Sequence, residues 1–115
     1  MRKKITTLFI IYFSTLLNSQ VPISEIRVND ANGVPLDTGQ IVTVAGIMTS
    51  SNQFGSSGPA SIQDNTAGMC VYGSGFPTSV DIGDSVIVTA VLTQYNGLTE
   101  MSFSLPGHSF QVISS

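Results

Sequence analysis

Few groups in the 115-residue chain can act as base, nucleophile or metal ligand: seven Asp or Glu, one His and one Cys. Catalysis needs a nucleophile with its base, or a metal held by several ligands. His108 follows Pro106-Gly107 and reads as an exposed loop residue. The sequence has no His/Cys cluster at zinc spacing, no Gly-x-Ser-x-Gly elbow, no phosphate loop and no dinucleotide fingerprint. Asp81 and Asp84 lie around Gly83, and Asp64 precedes Asn65-Thr66-Ala67-Gly68. Their simplest role is in turns, where a short carboxylate accepts from nearby backbone N–H groups. A pairing of Asp64 with Arg27 is the alternative, because Arg27 is the one cation after residue 4. Asp30-Ala31-Asn32-Gly33, with Asp37 beyond, has the outline of a calcium loop. It lacks the ninth-position ligand and the closing bidentate Glu, so a solvated turn is expected. Cys70 has no partner for a disulfide within the chain and reads as a small buried apolar residue. A pairing with another chain or a reactive thiol are its alternatives. These groups predict a protein that is not an enzyme, with no catalytic residue, no bound metal and no cofactor.

Composition narrows the elements that must position these groups. Charged residues make up 10% of the chain, against about 25% in an average soluble domain. At 42% hydrophobic it is neither a disordered acidic tail nor a polar linker. The length suits one domain and excludes a two-lobed enzyme with a cleft between lobes. Three of the four cations, Arg2, Lys3 and Lys4, precede an apolar run of 13 residues, 5–17, and the polar Asn18-Ser19-Gln20. That order predicts a secretory signal peptide over residues 1–19. The run is short of the roughly 20 apolar residues that a membrane-spanning helix needs. No Cys follows it directly, which excludes a lipid-modified bacterial N-terminus. The protein is therefore expected to be exported: secreted, periplasmic or at the cell surface. Its working domain, residues 20–115, holds one Arg against seven acids, a formal charge of −6.

After residue 20, short β-branched runs alternate with Gly, Asn, Asp, Ser and Pro, the pattern of an all-β domain. Residues 41–48 form the clearest strand, with Val42, Val44 and Met48 on one face. Residues 85–92 form another, with Val86, Val88, Ala90 and Leu92 together. Residues 60–64 and 69–72 pair across Asn65-Thr66-Ala67-Gly68. Asn96-Gly97 tolerates two positive φ angles and links the Val86 strand to residues 98–104 as a hairpin. Residues 110–113 are expected to close the sheet, and residues 23–28 to form a leading strand or arm before a turn at Asn32-Gly33. Residues 50–59 are a Ser- and Gly-rich loop. Residues 73–83 have room for one helical turn, with Phe76 or Val80 as a plug. Gly46 inside a β-branched strand predicts a bulge or sharp bend. Five or six strands with no long helix predict a small Greek-key barrel, which leaves fewer open edges than a sandwich of this size.

An ordered series carries a resemblance. It runs Ser24-Glu25-Ile26-Arg27, then Val42-Thr43-Val44-Ala45-Gly46-Ile47, then Ser61-Ile62-Gln63-Asp64-Asn65-Thr66-Ala67-Gly68-Met69-Cys70-Val71-Tyr72, then Gly83-Asp84-Ser85-Val86-Ile87-Val88, then Tyr95-Asn96-Gly97. The series resembles the OB-fold module of bacterial extracellular nucleases and related cell-surface proteins over residues 23–104. Two positions depart from the family pattern, Ala67 and Ala90, where the family often has Gly. The resemblance implies a non-catalytic accessory or binding module of an exported protein, beside a C-terminal catalytic or surface-anchoring domain. It also implies a ligand face on the second and third strands, where OB folds bind nucleic acid or oligosaccharide. If Ile62, Met69 and Val71 point inward, Ser61, Gln63, Cys70 and Tyr72 share the outer face. Tyr72 is the stacking candidate, with Tyr95 and Phe54 nearby. The charge of −6 resists a polyanion, since affinity for phosphates comes largely from Lys and Arg. Neutral sugar recognition suits aromatic and amide groups instead, and Tyr72, Gln63, Tyr95 and Asn96 are the candidate ligand-binding residues.

Overall fold

Alternation of buried and less buried positions shapes the strands at residues 60–63, 68–72 and 85–95 of the computed structural model, which describes residues 20–73 and 75–115. The expected signal peptide lies outside these residues. Six strands follow in order: β1 (Ile41–Ser50), β2 (Ala60–Gln63), β3 (Gly68–Tyr72), β4 (Ser85–Tyr95), β5 (Leu98–Ser102) and β6 (Ser109–Ser114). The sheet runs β1-β2-β3-β5-β4 and closes through β1–β4 pairing, a five-stranded barrel consistent with an OB-like fold. β3 and β5 pair in parallel, and the other ladders of the barrel are antiparallel. Among the described residues, no helix is long and apolar enough to cross a membrane.

The core follows from period-2 patterning. Val44 and Met48 of β1, Ile62 of β2, Met69 and Val71 of β3, and Val86, Val88, Ala90 and Leu92 of β4 all point inward and are buried. Ala90 lies within this core, and neither Ala67 nor Ala90 takes a positive φ. Both departures from the family pattern are therefore conformationally neutral. At one end of β3, the barrel is covered by Ile23 and Ile26. At its other end, Phe76 packs on Phe103 with ring centroids 4.8 Å apart. The expected plug is thus present, with Phe76 and Val80 both buried, although the segment forms turns rather than a helix.

One expectation is corrected and two are narrowed. Residues 23–28 are not a strand: Ile23–Arg27 is a 3₁₀ helix. Three residues per turn bring Ile23 and Ile26 to the same side, where both are buried, whereas a strand would split them between two faces. β6 ends the sheet, as expected of residues 110–113, but lies outside the closed barrel. It pairs outside β4 at residues 85–89, while β5 takes 91–95 along the same edge, so the long β4 is paired over most of its length. Of the bulge and the sharp bend expected at Gly46, the bulge is not there, since the register shift in β1 falls between Met48 and Ser50. Gly46 lies where β1 passes from β4 to β2, for the next residue, Ile47, pairs with both Ser85 and Gln63. A Cβ at Gly46 would collide with the Gln63 carbonyl, so the close approach of β2 requires glycine there.

Candidate functional site

The inward positions of β2 and β3 force their neighbours outward. With Ile62, Met69 and Val71 buried, Ser61, Gln63, Cys70 and Tyr72 share the outer face, as alternation predicts. The parallel ladder then sets Cys70 opposite Glu100 and Tyr72 opposite Ser102. The β4–β5 hairpin sets Thr93 opposite Glu100 and Tyr95 opposite Leu98. Glu100 is therefore central on this face, with Tyr72 and Tyr95 on opposite diagonals.

Besides a hollow of about 360 Å³ over Gly46, Ile47, Thr49 and Gln63, two adjoining hollows occupy the face. One, of about 340 Å³, is lined by Pro59, Tyr72, Tyr95, Leu98 and Glu100. The second, of about 390 Å³, adjoins it at Leu98 and includes Arg27, Thr49, Ser61, Gln63 and Cys70 in its wall. The four candidate residues are thus divided. Tyr72 and Tyr95 meet in the first hollow, Gln63 lines the second, and Asn96 lines neither. Asn96 instead holds the hairpin, with φ +49 followed by Gly97 at φ +84, as a two-residue turn between twisted strands requires. Phe54 is 70% exposed on the loop between β1 and β2 and lines neither hollow.

Glu100, Leu98, Pro59 and Thr49 are the lining residues that the sequence did not single out. The inward Met101 was a signal for Glu100, since it forces the preceding residue outward. Nothing in the sequence identified β3 as its neighbour. Glu100 is only 7% exposed, and burial pushes its carboxyl above the usual carboxylate range. Its backbone carbonyl accepts from Thr93 Oγ1 at 3.2 Å, but its carboxylate has no hydrogen-bond partner among the described residues.

Cys70 is half-buried on the outer face, not a core residue as expected. Burial pushes its thiol up, the Glu100 charge adds to this, and Arg27 works the other way. The thiol is therefore kept in its neutral, poorly nucleophilic form.

Three of the other acids are occupied, Asp64, Asp30 and Asp84. Asp64 accepts from the backbone N–H groups of Ile23 (2.8 Å), Thr66 (2.7 Å) and Ala67 (3.0 Å), and from Thr66 Oγ1–H (2.6 Å). Desolvation alone would raise this carboxyl, but the hydrogen bonds outweigh it and hold it well below the usual range. The alternative pairing with Arg27 is not formed: the Arg27 guanidinium lies 4.0 Å from the Met69 sulfur. Asp30 accepts from Asn32 and Val34 N–H at 2.8 and 3.0 Å, the turn that its position suggested. Asp84 accepts from Asp81 N–H at 2.9 Å in the turn that leads into β4. His108 is exposed, donates from Nδ1 to the Leu105 carbonyl at 2.8 Å and stacks on Phe103. Among the described residues, no three His, Cys, Asp or Glu side chains come together as a metal site.

The face offers tyrosine rings for stacking and hydroxyl and amide groups for hydrogen bonding. No protein-family model matches the chain, and no curated protein matches it.

Proposed function

We propose that the barrel is a non-catalytic binding module of an exported protein, working beside a catalytic or surface-anchoring domain. Its ligand is an oligosaccharide seated on the outer face of β2, β3 and β5. The observation that carries this reading is the pair of adjoining hollows. Tyrosines line one, and hydroxyl and amide groups line the other. Aromatic faces suit the apolar faces of sugar rings, and Gln63, Ser61 and Thr49 suit sugar hydroxyls. The likeness to OB modules of extracellular nucleases and cell-surface proteins supports the accessory role, and the basic-apolar-polar N-terminus supports export.

Single-stranded nucleic acid is the second reading, favoured by the stacking position of Tyr72 on the outer strand face. The formal charge of −6 over residues 20–115 opposes it. A glycan array run beside single-stranded DNA binding in about 0.15 M salt separates the two. Glycan binding that falls about tenfold in Tyr72→Ala is expected, the size of one lost stacking contact. DNA binding that survives this salt and disappears in Tyr72→Ala would reverse the choice, and an array without hits removes the sugar reading. Sequencing the N-terminus of the exported protein tests the leader, with a start at Gln20 expected.

A further inference from the structure

Glu100 is at odds with the rest of the barrel. Nearly all of its surface is buried, yet its carboxylate has no hydrogen-bond or ion-pair partner among the described residues. No buried side-chain oxygen in the described residues is left without both solvent and a partner, so the carboxylate tip opens into the Tyr72–Tyr95 hollow. Burying a charge without a partner is costly, and the raised carboxyl pKa reflects that cost. A ligand that supplies the missing partner is therefore bound with more gain than one that merely fills the space.

The surroundings specify that ligand. Ring faces of tyrosine attract cations, and a carboxylate between two such rings is the combination that holds an organic ammonium group. The formal charge of −6 draws cations towards the domain and repels polyanions. Beyond Leu98 the surface changes character to Thr49, Ser61 and Gln63, which hydrogen-bond neutral polar groups. Arg27 lines that second hollow, so a cationic unit is favoured only at the Glu100 end.

The geometry points to a cationic amino sugar as the ligand: an oligosaccharide with an unacetylated hexosamine whose ammonium group meets the Glu100 carboxylate between Tyr72 and Tyr95, while neighbouring sugar hydroxyls meet Gln63 and Ser61. This inference rests on the oligosaccharide reading above and adds the charge of the sugar to it. A lysine side chain would also satisfy Glu100, but its thin stem has no flat face to set against the two rings.

Calorimetric titration of the full domain with glucosamine tetramer, N-acetylglucosamine tetramer and tetralysine tests the inference, in the wild type and in Glu100→Gln. The glucosamine tetramer is expected to bind about tenfold or more tightly than the acetylated one, the gain of a charge-assisted contact. Glu100→Gln should abolish that preference and bring the two tetramers to similar affinity. An unfolding midpoint for Glu100→Gln no lower than that of the wild type shows that the loss is not one of folding. Equal binding of the two sugars, indifferent to Glu100→Gln, overturns the cation assignment and leaves the oligosaccharide reading standing. Tetralysine bound more tightly than the glucosamine tetramer, and lost in Glu100→Gln, overturns the sugar in favour of a peptide. If neither sugar binds, both readings fall.

Discussion

Asp64 at the β2–β3 turn and Glu100 in the middle of β5 are carboxylates held in opposite ways. Asp64 accepts four hydrogen bonds, three from backbone N–H groups, and joins the 3₁₀ helix to the barrel through Ile23. Its pKa is depressed. Glu100 is the more buried of the two and has no partner for its carboxylate among the described residues, so its pKa is raised. The contrast separates two uses of an acid in a domain with few charges. One carboxylate organises backbone donors that would otherwise be unsatisfied. The other is left open towards a hollow, where the proposed ligand would supply its partner.

The largest effect that can break the comparison is on folding. Asp64→Ala removes four hydrogen bonds and releases the anchor of Ile23, and should cost about 2–3 kcal/mol in urea unfolding. A loss below about 0.5 kcal/mol, the range of an ordinary surface substitution, would show that the turn does not depend on Asp64. Thr66→Val is milder. It deletes the hydroxyl that donates to Asp64 and accepts from Ser24 N–H at 3.1 Å, and should cost about 1 kcal/mol in the same measurement.

Glu100→Gln sharpens the comparison with the opposite sign. It keeps the shape and removes a buried charge, so stability at neutral pH should rise by about 0.5–1 kcal/mol. A marked loss would mean that Glu100 has a structural partner after all.

The smallest effect is in the pH dependence. The depressed Asp64 pKa contributes stability that is present above the unfolded value of about 4 and is lost as pH falls through its lower folded value. The raised Glu100 pKa acts in the other direction. It penalises the fold at pH above its folded value, and the penalty fades as pH falls towards the unfolded value of about 4.3. Unfolding curves collected from neutral pH down to pH about 4 should therefore show the advantage of Glu100→Gln shrinking with acidity. A difference that stays constant over this range would show that Glu100 does not titrate differently in the folded state.

Much of this fold was legible in the sequence because local rules decide it. Strict alternation in residues 85–92 predicts the inward face Val86, Val88, Ala90 and Leu92, and all four are buried. Asn96-Gly97 predicts the hairpin turn, and both residues have the positive φ that the turn needs. The outer positions of Ser61, Gln63 and Tyr72 follow from the same alternation. Local rules failed where a short segment obeyed two periods at once. Ile23 and Ile26 fit a strand with one apolar residue on each face, or a 3₁₀ turn with both on one side. Packing against the barrel end selected the second.

By itself, the sequence determined which side chains face inward, where the chain turns, and that residues 20–115 have one Arg against seven acids. The period of a strand specifies the face of each residue, and glycine, asparagine and proline specify backbone angles, so both can be read locally. Only the tertiary structure decided which strands are neighbours. The parallel pairing of β3 with β5 joins residues about thirty apart in sequence, and it brings Glu100 between Tyr72 and Tyr95. Alternation tells a residue to point outward but says nothing of what stands beside it, because register between distant strands is set by closure of the whole barrel. Glu100 was visible as an acid in a strand, and barrel closure made it a buried carboxylate without a partner among the described residues.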